Sequence, residues 1–154
     1  MAGKTIYTLS EPVGETYHKL ISISLAHADT LLLATMHSQP LGPSAIDLLE
    51  TLRPFTIRKT EEKQWPGTTL HNHTATVYRV RFSPEVADIM LEAADRLFNW
   101  LQPGLPEDPC LLRADGTPWL ATISHERDAF IELTVDESEA LRASVPRLSL
   151  APEG

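Results

Sequence analysis

The sequence predicts an α+β fold: a mixed or antiparallel sheet with a three-stranded C-terminal meander, and one long amphipathic helix over residues 83–102 packed on it. Three observations lead there. "TATVYRVRF" (74–82) alternates strictly, with Thr74, Thr76, Tyr78, Val80 and Phe82 on one face and Ala75, Val77, Arg79 and Arg81 on the other, the period of a strand. Ser83-Pro84-Glu85 then supplies a capping hydroxyl, a proline whose missing N–H is harmless in a first turn, and an acid favoured by the helix dipole. From there Val86, Ile89, Met90, Ala93, Leu97, Trp100 and Leu101 recur at helical spacing until Pro103-Gly104. Last, "CLLR", "PWLATIS" and "AFIEL", separated by turns at "ADG" and "HERD", read as the meander.

The other elements follow in chain order. Val13, Tyr17, Leu20, Ile21, Ser24, Leu25 and Ala28 keep helical spacing over 13–28, although "ISISL" also alternates as a strand would. "TLLLATM" (30–36) is a short continuous apolar run, the pattern of a strand covered on both faces. After the break "QPLGPS", Ala45, Leu48, Leu49 and Leu52 mark a short helix that stops at Arg53-Pro54. "FTIRKT" alternates as an exposed strand, and this strand, helix, strand order permits a parallel pair. Thr134 and Glu137 form a capping box for a final helix to about Ala143, and a loose tail is expected from about residue 146.

A chain of 154 residues is the size of one ordinary domain, and 1–154 is read as one. The lone Cys110 has no intrachain disulfide partner, and its apolar setting "CLL" suits an inert buried thiol better than a nucleophile. "MAGKTIYTLSEP" lacks the apolar core of a signal peptide and no apolar run approaches the roughly 20 residues of a membrane span, so a cytoplasmic protein without a membrane partner is expected.

The net charge of −8 is concentrated: residues 83–139 hold three Arg against thirteen Asp and Glu, a net −10, while the flanks are each close to neutral. Such a segment repels phosphate backbones, which argues against direct nucleic-acid binding and favours a protein partner with a basic surface. Acid spread on helix and loop surfaces for solubility is the alternative.

Histidines supply the main candidates for chemistry. His71 and His73 are two apart, so on a regular strand they share a face and could share a metal ion; His125 or Glu126, in the turn between the last two strands, could complete the set. The His-x-His after a Gly-Thr turn resembles the first cupin motif, but positions 74–80 carry no glutamate and the chain has too few sequential strands for that barrel. "SHERD" (124–128) offers a histidine among carboxylates for acid–base work or, alternatively, a polar hairpin turn. Ser124 and His125 are neighbours on a strand, point apart and make no triad. The glycines never cluster, so no nucleotide cofactor is expected.

"QWPGTTL", "TVYRVRFSPEVADIMLEAADRLFNW" and "GLPEDPCLLRADGTPWLATISHERDAFIEL" resemble a family of small uncharacterised proteins common in actinobacteria, over about 25–145. That resemblance implies no activity and assigns no residue. As a compact acidic α+β domain without a catalytic signature, the chain also looks like the immunity proteins that neutralise polymorphic toxins.

The expectation is therefore a monomer or weak homodimer that acts by occluding a basic or nucleic-acid-cleaving toxin, without a cofactor. Glu107, Asp108, Asp115, Glu126 and Asp128 read as loop or turn acids for the contact. Trp65 is either an exposed anchor or a ring closing the core edge. Two alternatives stand beside it: a small enzyme using a divalent metal on His71, His73 and His125 or Glu126, and a sensor or scaffold taking a small ligand in the cleft between sheet and helix.

Overall fold

The computed structural model describes residues 3–153 and is α+β, with four α-helices and a large antiparallel sheet. In chain order the elements are β1 (Thr5–Leu9), α1 (Glu15–Ser24), β2 (Thr30–Met36), α2 (Pro43–Leu52), β3 (Thr56–Glu62), β4 (Gln64–Trp65), β5 (Thr68–Thr69), β6 (Ala75–Arg81), α3 (Pro84–Ala93), β7 (Glu107–Leu112), β8 (Pro118–Ile123), β9 (Asp128–Leu133), α4 (Val135–Ser144) and β10 (Leu150–Pro152). Eight strands form one sheet in the order β10-β1-β9-β8-β7-β2-β6-β3, and β4-β5 is a separate two-stranded ribbon. Among the described residues no helix is long and apolar enough to cross a membrane.

β2 lies inside the sheet, and its unbroken apolar run fills two cores. Leu31 and Leu33 join the larger one with Leu20 and Ile21 of α1, Leu48 and Leu52 of α2, Val86 and Met90 of α3, and Leu141 of α4. Leu32 and Ala34 face the other way, into a smaller core with Val77, Cys110, Ala121 and Trp65. That second core exists because residues 63–74 leave edge strand β3 and fold back under the sheet as a flap. Gly67 of the flap comes close to Ile123 and Phe130, on β8 and β9.

β2 and β3 run in the same direction but do not pair. β6 lies between them, antiparallel to both, because the sequence between β3 and β6 is spent on the flap rather than on a helical crossover. β7, β8 and β9 do not stand as a unit of three, since β2 continues the sheet beyond β7 and β1 beyond β9.

The helix expected over 83–102 is shorter. Its start is as the residues dictate, with the Val86 N–H donating to Ser83 Oγ at 3.3 Å. It ends at Ala93, because Ala94 is extended and the chain is captured by the loop before α1. Arg96 bridges Val13, the Gly14 N–H donates to the Asp95 carbonyl at 2.7 Å, and the Phe98 N–H donates to Glu11 Oε2 at 3.0 Å. Leu97 and Trp100 continue the apolar period beyond the α-helix, across a single 3₁₀ turn at Leu97–Asn99, because both are buried in the same core.

The segment after residue 146, expected as a loose tail, carries β10, which pairs with β1 through Leu9 and Leu150, Thr8 and Ala151, and Tyr7 and Pro152. Leu148 anchors its approach in the core.

Candidate functional site

The start of β7 holds a buried polar cluster. The register between β2 and β7 shifts between Leu32 and Ala34, and at this irregularity Asp108 adopts a left-handed backbone with φ 56°, which aspartate tolerates better than most residues. Its carboxylate sits between sheet and flap, fully buried. Oδ2 accepts from Trp65 Nε1 at 3.0 Å and from the Thr68 hydroxyl at 3.2 Å, while Oδ1 accepts from the Ser124 N–H at 2.8 Å. The Asp108 N–H donates to Ser124 Oγ at 2.9 Å, so strand, flap and the end of β8 meet on one residue. A buried carboxylate is tolerated when several donors replace its water, as here.

Glu107 is also buried, 3% exposed, and its Oε2 accepts the Gln102 N–H at 3.3 Å. Burial pushes its carboxyl above the usual range; the Gln102 bond and the His125 charge oppose this, and the Asp108 charge adds to it. His125 is exposed in the 3₁₀ turn Ser124–Glu126. Glu107, Asp108 and His125 each offer one ligand atom, all within 4.8 Å of one another, and they are the one such group of three among the described residues. Two carboxylate oxygens and an imidazole nitrogen make a donor set for a hard or borderline divalent cation.

His71 and His73 are not part of it. The strand begins at Ala75, so the alternation that would aim both rings to one face does not reach them. Asn72 takes a positive φ of 65° between them, and His73 Nδ1 pairs with the His71 carbonyl at 2.8 Å. Both are exposed. The "HERD" turn brings His125 to Glu107 and Asp108 instead.

The acids and the tryptophan expected on a docking surface divide. Glu107, Asp108 and Trp65 are buried, because the flap covers the start of β7; they are not loop acids and not an exposed anchor. Asp115, Glu126 and Asp128 are exposed, but Asp115 lies in the turn before β8, Glu126 in the turn after it and Asp128 at the first position of β9. They sit at opposite ends of that strand.

Exposed acid gathers instead on the helices. α2 and α3 pack side by side, and between them runs a cleft of about 330 Å³ lined by Leu48, Ile89, Ala93 and Leu105, with Asp47 and Glu92 among its lining residues and no cation. Glu85 and Asp88 are exposed along the same helix α3. Their placement on the water-facing side of α3 is readable from helical spacing; that α2 lies beside them is not, since no local pattern states which helices touch. A second cleft of about 460 Å³ separates α2 from β3 and β6, lined by Leu41, Ile46, Leu49 and Tyr78 with Arg53 and Lys59.

No protein-family model, curated protein or solved structure matches the chain.

Proposed function

We propose that the chain is a protein-binding module of the immunity type, which occludes a basic, nucleic-acid-cleaving toxin with the outer face of α2 and α3. The supporting observation is the α2–α3 cleft. It combines an apolar floor of Leu48, Ile89 and Leu105 with the carboxylates of Asp47 and Glu92, and no cation lines it. An apolar pocket with a charged rim suits a partner's aromatic or basic anchor, and exposed carboxylates of one sign speed the encounter with a cationic surface.

The test is to trap the partner in the source cell with a photo-crosslinker at Ile89, purify it, and measure association at low salt. The double variant Asp47→Lys/Glu92→Lys should associate at least about tenfold more slowly and with a flatter salt dependence. An unchanged on-rate, or an acidic partner, overturns the reading.

A second reading, a small protein that works through a divalent cation, is supported by the convergence of Glu107, Asp108 and His125. Elemental analysis of protein purified without a histidine tag decides it. Stoichiometric metal that is lost in His125→Ala favours this reading, and its absence removes it.

A further inference from the structure

β3 ends the sheet. It pairs with β6 along one side, and among the described residues its other side has no neighbouring strand. Ile57, Arg58 and Lys59 on it are exposed, Ile57 to 57%. Open edges of this kind template pairing with another strand, and charged side chains normally block that. Here the charges are ordered. "RKTEE" (58–62) places Arg58 and Lys59 before Thr60 and Glu61 and Glu62 after it. Laid antiparallel against a copy of itself about Thr60, the strand sets Arg58 opposite Glu62 and Lys59 opposite Glu61, twice each.

The faces agree with that register. Lys59 and Glu61 pair with Tyr78 and Thr76 and lie on one side of the sheet; Arg58 and Glu62 lie on the other, where Glu62 meets Arg79. A two-fold axis perpendicular to the sheet keeps each side chain on its own side, so every cross-copy charge pair has its members on one face. Within the chain the carboxylates are already held. Glu61 accepts from Thr74, Thr76 and His37, and Glu62 from Arg79 and Thr60. A carboxylate has about four acceptor positions, so each can take one cation more. Arg58 and Lys59, by contrast, make no ion pair among the described residues; Lys59 lies 5.5 Å from the centre of the Tyr78 ring.

We propose that β3 is a homodimer interface: two copies of this chain pair edge to edge, antiparallel about Thr60, into one continuous sheet. The same charges that admit a second copy repel a uniformly basic or acidic strand, which is how an open edge becomes selective. The apolar lip of the neighbouring cleft, with Ile46 49% exposed beside β3, extends the contact. Five paired residues per strand fall short of the roughly 800 Å² per partner of a stable complex, so the dimer dissociates at roughly 10–1000 µM. This surface is separate from the α2–α3 cleft, and either assignment can fail without the other.

Analytical ultracentrifugation of the full chain across that concentration range should show a monomer–dimer equilibrium. Arg58→Glu/Lys59→Glu, which sets acid against acid in all four pairs, should weaken it at least about tenfold. The monomer loses only the exposed Lys59 contact with the Tyr78 ring and the Arg58 charge near Glu62, so its circular dichroism should still be that of the folded chain. Register is read by cross-linking. In the dimer the two Thr60 Cα atoms are about 4.5–5.5 Å apart, within disulfide reach, whereas two Lys63 residues lie about 20 Å apart. Thr60→Cys should oxidise to a covalent dimer much faster than Lys63→Cys. A wild-type chain that stays monomeric throughout overturns the proposal. So does a dimer unaffected by the charge reversal, or cross-linking at 60 no faster than at 63.

Discussion

The Trp65 indole donates its N–H to Asp108 Oδ2 over 3.0 Å, across 43 residues of sequence, and this bond pins the flap to the sheet. The same carboxylate receives Thr68 and the Ser124 N–H, so one buried acid closes the smaller core and shapes the candidate cation cluster.

Removing that acid should therefore be costly. Asp108→Ala leaves two buried donors and a hydroxyl without an acceptor and is expected to lose about 3–5 kcal/mol. Asp108→Asn keeps one acceptor oxygen and a residue at ease with positive φ, and should lose about 1–2 kcal/mol. Urea unfolding followed by tryptophan fluorescence measures both, and equal losses would refute the donor count.

Gly67 is the flap position that admits no side chain. Its φ is +88°, and a Cβ would lie 2.8 Å from Ile123 Cγ1 and 3.2 Å from Cδ1. Gly67→Ala meets both strain and collision, for an expected loss of about 1–3 kcal/mol. The loss should be local: amide exchange should rise over 63–74 while the strands β8 and β9 stay protected. Uniform loss of protection across the sheet would show that the flap is not a separable unit.

Cys110 should be silent in the folded protein. Burial pushes its thiol up to about 12, and its Sγ donates to the Asp108 carbonyl at 3.3 Å under the flap. A thiol reagent at pH 8 should label it only after denaturation. Rapid labelling of native protein would mean that the flap opens readily.

What the sequence made legible is local. Ser83-Pro84 opens α3, and Thr134 with Glu137 forms the capping box of α4 with both bonds present, because caps depend on residues three apart. The alternation of 74–82 becomes β6, Ala75–Arg81, although Ala75, Thr76 and Val77 are buried in succession rather than alternately. The rest depends on distant contacts. Glu107 and Asp108 follow "PGLP" and look like loop acids; only a flap some forty residues earlier buries them. Leu97 and Trp100 keep a helical period that serves core packing across a 3₁₀ turn rather than a longer α3. β10 pairs with β1 from the far end of the chain, a contact with no local signature. Thr5–Leu9, by contrast, carries β-branched and aromatic residues with Tyr7 and Leu9 buried, a strand signal short enough to pass for an irregular N-terminus.

The pH dependence of stability should fall in two steps, both governed by the contacts around Trp119. His27 stacks on the Trp119 ring at 4.0 Å, with planes 1° apart. Burial lowers its basicity below the usual value; the Arg113 charge adds to this, and Glu137 opposes both without reversing them. The unfolded chain therefore takes up this proton first, and stability falls as pH drops below about 6.5. Glu137 gives the second step. Partial burial alone would raise its carboxyl, but two bonds from Arg113 at 2.9 and 3.0 Å, the Thr134 N–H and the Arg113 and His27 charges hold it at about 2. A depressed carboxylate stabilises the fold above its unfolded value and loses that contribution as pH falls from about 4.5 towards 2, here on the order of 2 kcal/mol for a side chain 20% exposed. Urea midpoints from pH 7.5 to 2.5 should show both declines in the wild type. His27→Asn should abolish the upper one, and Arg113→Met should shrink the lower one by removing the guanidinium that depresses Glu137. If Arg113→Met leaves the slope below pH 4.5 unchanged, some other carboxylate carries the acid step.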